Sequence, residues 1–199
     1  MPEIEYRRRT PRVRADGNAV LIAAILLALL LSAPAPGGFA AGRAAGQRLS
    51  LISSAFNAQG MIPSRYTCSG ANVSPALMWA NPPAGTRSFA LIVTDPDAPG
   101  GTFTHWVAFN LPPGQHRLSE GLPQRAQIAA GGAQGSNDFP GIGYEGPCPP
   151  PGNPHHYFFR LYALDCRLPL KPGATRGQVE RAMKGHVLGE AVLTGLFGR

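Results

Sequence analysis

Short apolar runs, separated by segments rich in Gly and Pro, favour strands over long helices in this chain. The chain of 199 residues contains 25 Gly and 21 Pro, which break both helix and strand. The pattern therefore predicts a mainly β fold. The predicted strands are Leu49–Phe56, Ala76–Trp79, Arg87–Thr94, Phe103–Leu111 and Tyr157–Leu164.

One helix is predicted near the C-terminus, from Thr175 to about Lys184. Thr175 and Gln178 have the spacing of a capping box, and Gly185 can end the helix. The last apolar stretch, Ala191–Phe197, fits either a strand or a helix, so its conformation stays open.

The first forty residues have the layout of a secretory signal peptide. Five arginines precede the apolar run Ala19–Leu31, and a small-residue, Pro-rich stretch follows it. As a helix, this run rises only about 20 Å, which is less than the roughly 30 Å of a bilayer core. We expect residues 1–40 to direct export, with cleavage after Ala40, and residues 41–199 to form one periplasmic or secreted domain. An uncleaved inner-membrane anchor at residues 19–31 is the alternative.

The charge of the chain does not indicate a nucleic-acid partner. The formal net charge is +7, but residues 1–40 carry five arginines against three acidic residues, so +5 remains for the rest. This charge is spread thinly, without a basic stripe interleaved with aromatic residues. Membrane association is therefore expected only through an uncleaved N-terminus.

Three cysteines cannot all pair within one monomer. Cys68 and Cys148 lie in turn-rich polar stretches, whereas Cys166 directly follows a strand-like run. We hypothesise a Cys68–Cys148 disulfide in an oxidising compartment. Three reduced thiols are the alternative.

Strand alternation predicts that one carboxylate and two imidazoles converge at the edge of the core, because side chains two apart share a face. Each of these residues alone would fit a structural role, such as a hydrogen-bonded core histidine or an Asp that caps a turn. The candidates and the apolar residues of the same parity are Asp95 with Phe89, Leu91 and Val93; His105 with Phe103, Val107 and Phe109; and His155 with Tyr157, Phe159 and Leu161.

Residues 56–165 closely resemble the phosphatidylethanolamine-binding protein family, in its bacterial Raf kinase inhibitor-like (YbhB/YbcL-type) branch. Less strict similarity continues to Arg199. Several ordered motifs carry the resemblance, and together they are far more specific than any one of them. The motifs are Gly60–Pro75, Asp95–Pro99, His105–Val107, Gly146–Pro150 and His155–Tyr157.

The resemblance implies a β-sandwich-like fold with a C-terminal helix and a small anion pocket for phosphate-like anions or phospholipid head groups. Imidazole N–H groups and backbone N–H groups of the Gly141–Gly146 turn can donate to a phosphate. Asp95 is better suited to orienting a histidine or meeting an ammonium group. The implied ligand-binding residues are Asp95, Asp97, His105, Tyr144, Gly146, Pro147, His155 and Tyr157.

The expected function is non-catalytic binding of a phosphate-bearing small molecule or lipid head group. The alternative is inhibition of an extracytoplasmic protein, such as a protease or kinase-like partner, through protein–protein contact, and a homodimer stays open. The chain has no HExxH motif, no Gly-x-Ser-x-Gly nucleophile elbow and no Walker loop. We therefore predict no catalytic residue, no cofactor and no metal site.

Overall fold

The computed structural model describes residues 48–199, so the predicted signal peptide or anchor at residues 1–40 lies outside the described residues. The described part contains nine strands and one α-helix, α1, at Arg176–Met183, together with a 3-10 turn at Ser64–Tyr66. The strands are β1 Ser50–Ser53, β2 Gly60–Met61, β3 Leu77–Ala80, β4 Ser88–Asp95, β5 Phe103–Leu111, β6 Arg117–Leu118, β7 Ala133–Gln134, β8 His155–Leu164 and β9 Val187–Phe197.

The strands form two sheets, which confirms the predicted mainly β class. The smaller sheet has the order β1-β3-β6, and the larger has the order β2-β9-β8-β4-β5-β7. All neighbouring strands are antiparallel except β2 and β9, which pair in parallel through Gly60 with Gly195. Strand β9 therefore lies inside the larger sheet, although it is the last element of the chain.

The central strands β4 and β5 of the larger sheet are buried on both faces. One face packs against the smaller sheet, where Trp79 of β3 meets Phe89 of β4 edge-on at 5.5 Å between ring centroids. The other face packs against α1 through Val179 and Met183. Every residue of β4 is buried, which explains why this strand is apolar throughout instead of alternating.

The predicted helix is confirmed. Thr175 is its N-cap, and the reciprocal hydrogen bonds of a capping box with Gln178 are both present. The ambiguous stretch Ala191–Phe197 belongs to strand β9. Strands β2, β6 and β7 were not predicted, because two residues each are too few to show an alternation.

A β-bulge in β5 overturns part of the predicted alternation. Val93 pairs with Trp106 but Thr94 pairs with Thr104, so His105 is the extra residue. A bulge re-aims the side chain it carries. Val107 faces the helix layer, whereas the ring of His105 meets Tyr157 of the opposite cluster. The expectation that His105 shares a face with Val107 and Phe109 is therefore wrong.

A disulfide joins Cys68 to Cys148, across 80 residues and with 5.3 Å between the Cα atoms. It ties the segment after the 3-10 turn to the long loop that precedes β8. The third cysteine, Cys166, is free.

No helix among residues 48–199 is long and apolar enough to span a bilayer.

Candidate functional site

A cavity of about 210 Å³ opens where the ends of three neighbouring strands meet. In the antiparallel sheet, the end of β4 lies beside the starts of β5 and β8, as the pairs Asp95 with Phe103 and Thr94 with Phe158 show. Residues from distant parts of the chain are thus brought together. The lining residues are Asp95, Ala98, Pro99, Phe103, His105, Phe139, Cys148, Pro149, Pro150 and His155.

Asp95 holds the imidazole of His155. Nδ1 of His155 donates to Oδ2 of Asp95 at 2.8 Å, and the side chains are only 13% and 4% exposed. The second oxygen, Oδ1, accepts the backbone N–H of Asp97 at 2.8 Å. Both carboxylate oxygens are therefore engaged, and Nε2 is the ring nitrogen of His155 that stays available to a ligand.

His105 is held by a reciprocal pair of hydrogen bonds with Glu145. Its Nδ1 donates to the backbone carbonyl of Glu145 at 2.8 Å, and the N–H of Glu145 donates to the carbonyl of His105 at 3.0 Å. A carbonyl only accepts, so the ring proton must lie on Nδ1. Burial lowers the pKa of His105, against the opposing effect of the Glu145 carbonyl. A neutral ring then presents Nε2 as an acceptor.

Tyr157 lies directly behind His105 and does not line the cavity itself. The two rings meet edge-on, with 5.2 Å between centroids. The Tyr157 hydroxyl is buried and makes no hydrogen bond of normal geometry among the described residues, although it lies close enough to Asp95 to interact with it. Burial, followed by the negative charge of Asp95, raises the pKa of this phenol, so the group keeps its proton. A buried, unpartnered O–H donor therefore stands next to the polar side of the cavity.

The remaining walls are apolar and rigid. Phe103 and Phe139 meet edge-on at 4.8 Å, and three prolines complete the lining. Sequence reasoning missed Phe103 and Phe139 as lining residues. Phe103 shares the parity of His105, a signal that could have found it, whereas Phe139 lies in a long loop without periodicity. The cavity lining thus combines two imidazoles and a carboxylate with an otherwise mostly apolar surface.

Four of the expected site residues lie elsewhere and support the walls. The buried hydroxyl of Tyr144 donates to the carbonyl of Tyr66 at 2.6 Å. The N–H of Gly146 donates to Oδ1 of Asn72, and the carbonyl of Pro147 accepts the N–H of Cys68. The Asp97 carboxylate accepts the backbone N–H and Nδ1 of exposed His156. These bonds lower the pKa of Asp97.

Most of the backbone N–H groups of the Gly141–Gly146 turn are not free to bind a phosphate, although they were expected to do so. Four of its backbone N–H groups are already bonded within the protein. A loop that is partly buried must satisfy its own donors, so this expectation is wrong for these four groups. The N–H groups of Gly141, Gly143, Glu145 and Gly146 donate to Phe139 O, Gly135 O, His105 O and Asn72 Oδ1, respectively.

Comparison with known sequences gives one consistent result. The family model described as Phosphatidylethanolamine-binding protein matches residues 52–198. A UPF0098 protein of Methanothermobacter thermautotrophicus is 54% identical over 151 residues, which cover 76% of this chain and 99% of the relative. A putative lipoprotein, LppC, of Mycobacterium tuberculosis is 42% identical over 154 residues, covering 77% of this chain and 74% of the relative.

Solved structures share the same fold. YbcL of E. coli, described as a member of the mammalian PEBP family, superimposes with a TM-score of 0.72 at 31% identity, covering 77% of this chain and 99% of YbcL. A putative phosphatidylethanolamine-binding protein homolog from Chlamydia trachomatis gives a TM-score of 0.70 at 39% identity, covering 76% of this chain and 98% of that protein. The mainly β fold with one short helix near the C-terminus matches both.

Proposed function

Because the chain belongs to the phosphatidylethanolamine-binding protein family, we propose that its cavity binds a small phosphate-bearing molecule or a phospholipid head group without transforming it. The observation that carries this proposal is the pair of histidines on one cavity wall. His155 and His105 each have Nδ1 committed to the protein, which leaves both Nε2 atoms for a ligand.

The two imidazoles suit different parts of a protonated phosphate. When Nε2 of His155 carries a proton, it donates to a phosphate oxygen, and the adjacent Asp95 balances the imidazolium charge. Neutral His105 instead accepts a hydrogen bond from a P–OH group, an ammonium group or a hydroxyl. The hydrogen bonds that Asp95 accepts from His155 and from the Asp97 N–H offset part of its negative charge, which reduces its repulsion of a phosphate.

The size of the cavity limits what enters it. Drug-sized ligands occupy pockets of about 300–1,000 Å³, so a cavity of about 210 Å³ suits a head group and excludes acyl chains. An intact phospholipid would have to leave its chains outside the walls. Phosphoethanolamine is therefore an appropriate first ligand to measure.

Calorimetric titration of the protein with phosphoethanolamine, in phosphate-free buffer, tests the proposal. We expect saturable binding that is weakened by about tenfold or more in His155→Ala and Asp95→Asn, because a charge-assisted hydrogen bond or its support is removed. His116→Ala is the control, since this exposed side chain makes no hydrogen bond in the described residues and lies outside the cavity. Equal affinity in all four proteins, or no binding of any phosphate compound, would rule the site out.

We also propose that the domain works outside the cytoplasm. Three observations support this location: the signal-peptide layout of residues 1–40, the similarity to a putative lipoprotein of M. tuberculosis and the Cys68–Cys148 disulfide. N-terminal sequencing of the protein from the periplasmic or secreted fraction would show whether residues 1–40 are removed. Recovery of the protein only from the cytoplasm would contradict it.

A further inference from the structure

Three side chains that commonly bind metals meet at the end of the β8–β9 pair opposite the cavity. Asp165 and Cys166 follow the end of β8, and His186 precedes β9. One carboxylate oxygen, the thiol sulfur and one imidazole nitrogen all lie within 4.8 Å of one another. None of these residues lines the cavity described above.

The backbone fixes the positions of all three residues without using their side chains. The N–H of Asp165 donates to the carbonyl of His186 at 3.1 Å, and the N–H of His186 donates to the carbonyl of Met183 at 2.9 Å. The carbonyl of Cys166 accepts the hydroxyl of buried Ser88 at 2.5 Å. The folded protein therefore holds the cluster together before any ion arrives, which lowers the entropy cost of binding.

The side-chain atoms are accessible and nearly in position. Nδ1 of His186 donates to Oδ1 of Asp165 at 2.8 Å, and these side chains are 47% and 45% exposed. Cys166 is half-buried and free. In a tetrahedral zinc site, bonds of about 2.0–2.3 Å set the ligand atoms roughly 3.3–3.8 Å apart. Small side-chain rotations would replace the Asp165–His186 hydrogen bond with an ion between the two groups.

We propose that Asp165, Cys166 and His186 form a binding site for a divalent cation of the Zn²⁺ class, with water in the fourth position. Thiolate and imidazole ligands favour Zn²⁺ and Co²⁺ over Ca²⁺ and Mg²⁺, which require oxygen ligands. The carboxylate and the thiolate together balance the charge of the ion. On binding, the thiol proton goes to solvent, and the imidazole proton of His186 moves from Nδ1 to Nε2 by exchange with water, so that Nδ1 can coordinate the ion; nothing is oxidised. The ligands lie just after β8 and just before β9, about twenty residues apart, so no compact sequence motif reveals them.

Titration of the untagged protein with Co²⁺ tests this site, because a thiolate bound to Co²⁺ produces a charge-transfer absorption band. The other two cysteines are joined in a disulfide, so the band would report on Cys166 alone. We expect the band to saturate at one equivalent, to be lost in Cys166→Ser and to require about tenfold or more Co²⁺ in His186→Ala. His116→Ala should behave as the unchanged protein. A missing band in the unchanged protein would overturn the site.

Alkylation of the thiol provides a second measurement that needs no variant. One equivalent of Zn²⁺ should slow the reaction of Cys166 with iodoacetamide by about tenfold or more, because a coordinated thiolate is a poorer nucleophile. Mg²⁺ at the same concentration should leave the rate unchanged. Equal rates with Zn²⁺ and Mg²⁺ would contradict the proposal. Neither result depends on phosphoethanolamine binding, so this site and the cavity can fail independently.

Discussion

The role of each cavity histidine depends on which ring nitrogen is already bonded to the protein. Nδ1 of His155 donates to a carboxylate, whereas Nδ1 of His105 donates to a backbone carbonyl. Burial lowers the pKa of His105 and favours its neutral form. Two residues of the same type therefore present their Nε2 atoms to a ligand in different electrostatic settings, one beside a carboxylate and one beside a neutral carbonyl.

The lowered pKa of His105 predicts a loss of stability in acid. Below pH 6.5, the ordinary pKa of histidine, His105 binds a proton in the unfolded chain but stays neutral in the folded protein. Its contribution to the free energy of unfolding is therefore fully present above that pH and is lost as the pH falls below it. Between about pH 7.5 and about pH 5.5, His105 should contribute a loss of at most about 1.4 kcal/mol, the equivalent of one pH unit. Urea unfolding at the two pH values should show a smaller loss of stability for His105→Gln than for the unchanged protein.

The control is His116→Gln, which changes an exposed histidine and should lose as much stability in acid as the unchanged protein. Identical pH profiles for His105→Gln and the unchanged protein would contradict the role of His105.

Two buried tyrosines predict opposite effects of losing a hydroxyl. Tyr144 donates to the Tyr66 carbonyl, so Tyr144→Phe leaves a buried acceptor unpaired and should cost about 1–3 kcal/mol. The Tyr157 hydroxyl has no partner in the described residues, so Tyr157→Phe should leave stability without ligand unchanged or slightly raised. Denaturant unfolding measures both. A loss of more than about 1 kcal/mol in Tyr157→Phe would show that the hydroxyl is bonded after all.

Polar residues of the cavity could be predicted from sequence, whereas its shape could not. Asp95 and His155 are polar residues at positions that alternate with apolar, inward-facing residues of their strands. This pattern identifies them as candidates from sequence alone. Phe139 carries no such mark, because its loop follows a path set by backbone bonds to distant segments, such as Asp138 N–H to the Thr104 carbonyl. Gly146 lies in a turn that was expected to bind a ligand, yet its N–H donates to Oδ1 of Asn72.

At the scale of elements, the helix was predictable because its capping box marks its start, and β1, β3, β4, β5 and β8 because each is a short apolar or alternating run between turn residues. Strand β9, the longest, could not be distinguished from a helix by its sequence. Strands β2, β6 and β7 exist only through pairing with neighbours, so their sequences alone contain no signal. The bulge in β5 could not be predicted either, since it depends on how β5 pairs with β4. Its consequence for the site is large, because the inserted residue is His105.

A second irregularity in β5 is stabilised by a side chain that imitates backbone pairing. Asn110 has a φ of 55°, in the left-handed region that Asn tolerates better than most residues. Its amide donates to the Leu168 carbonyl at 2.9 Å, and its oxygen accepts the Leu168 N–H at 2.7 Å. Strand β5 is thus shaped by two local departures from alternation, one at the cavity and one at the loop before α1.

At the scale of the whole molecule, the disulfide links stability to the cavity. Cys148 lines the cavity, and its partner Cys68 lies 80 residues earlier in the chain. Closing a loop of this length typically stabilises a small domain by about 2–5 kcal/mol. Reduction should therefore affect both the free energy of unfolding and the position of one cavity wall.

The variant Cys68→Ser with Cys148→Ser should lose about 2–5 kcal/mol of unfolding free energy and bind phosphoethanolamine more weakly. Urea unfolding and calorimetry on the same samples would measure the two effects. Cys166→Ser is the matched control, because this thiol forms no disulfide. A double variant as stable as the control would show that the bond contributes nothing to the fold.

The position of β9 inside the larger sheet also determines when folding can finish. Strand β8 lies between β4 and β9, and β2 pairs only with β9 in the described structure. During synthesis, every other strand emerges from the ribosome before β9, the final 11-residue strand. Until β9 is in place, β8 keeps an unpaired edge and β2 has no neighbouring strand in the described structure. An incomplete sheet of this kind exposes backbone N–H and C=O groups that can pair with another chain, so β9 also protects the domain from aggregation.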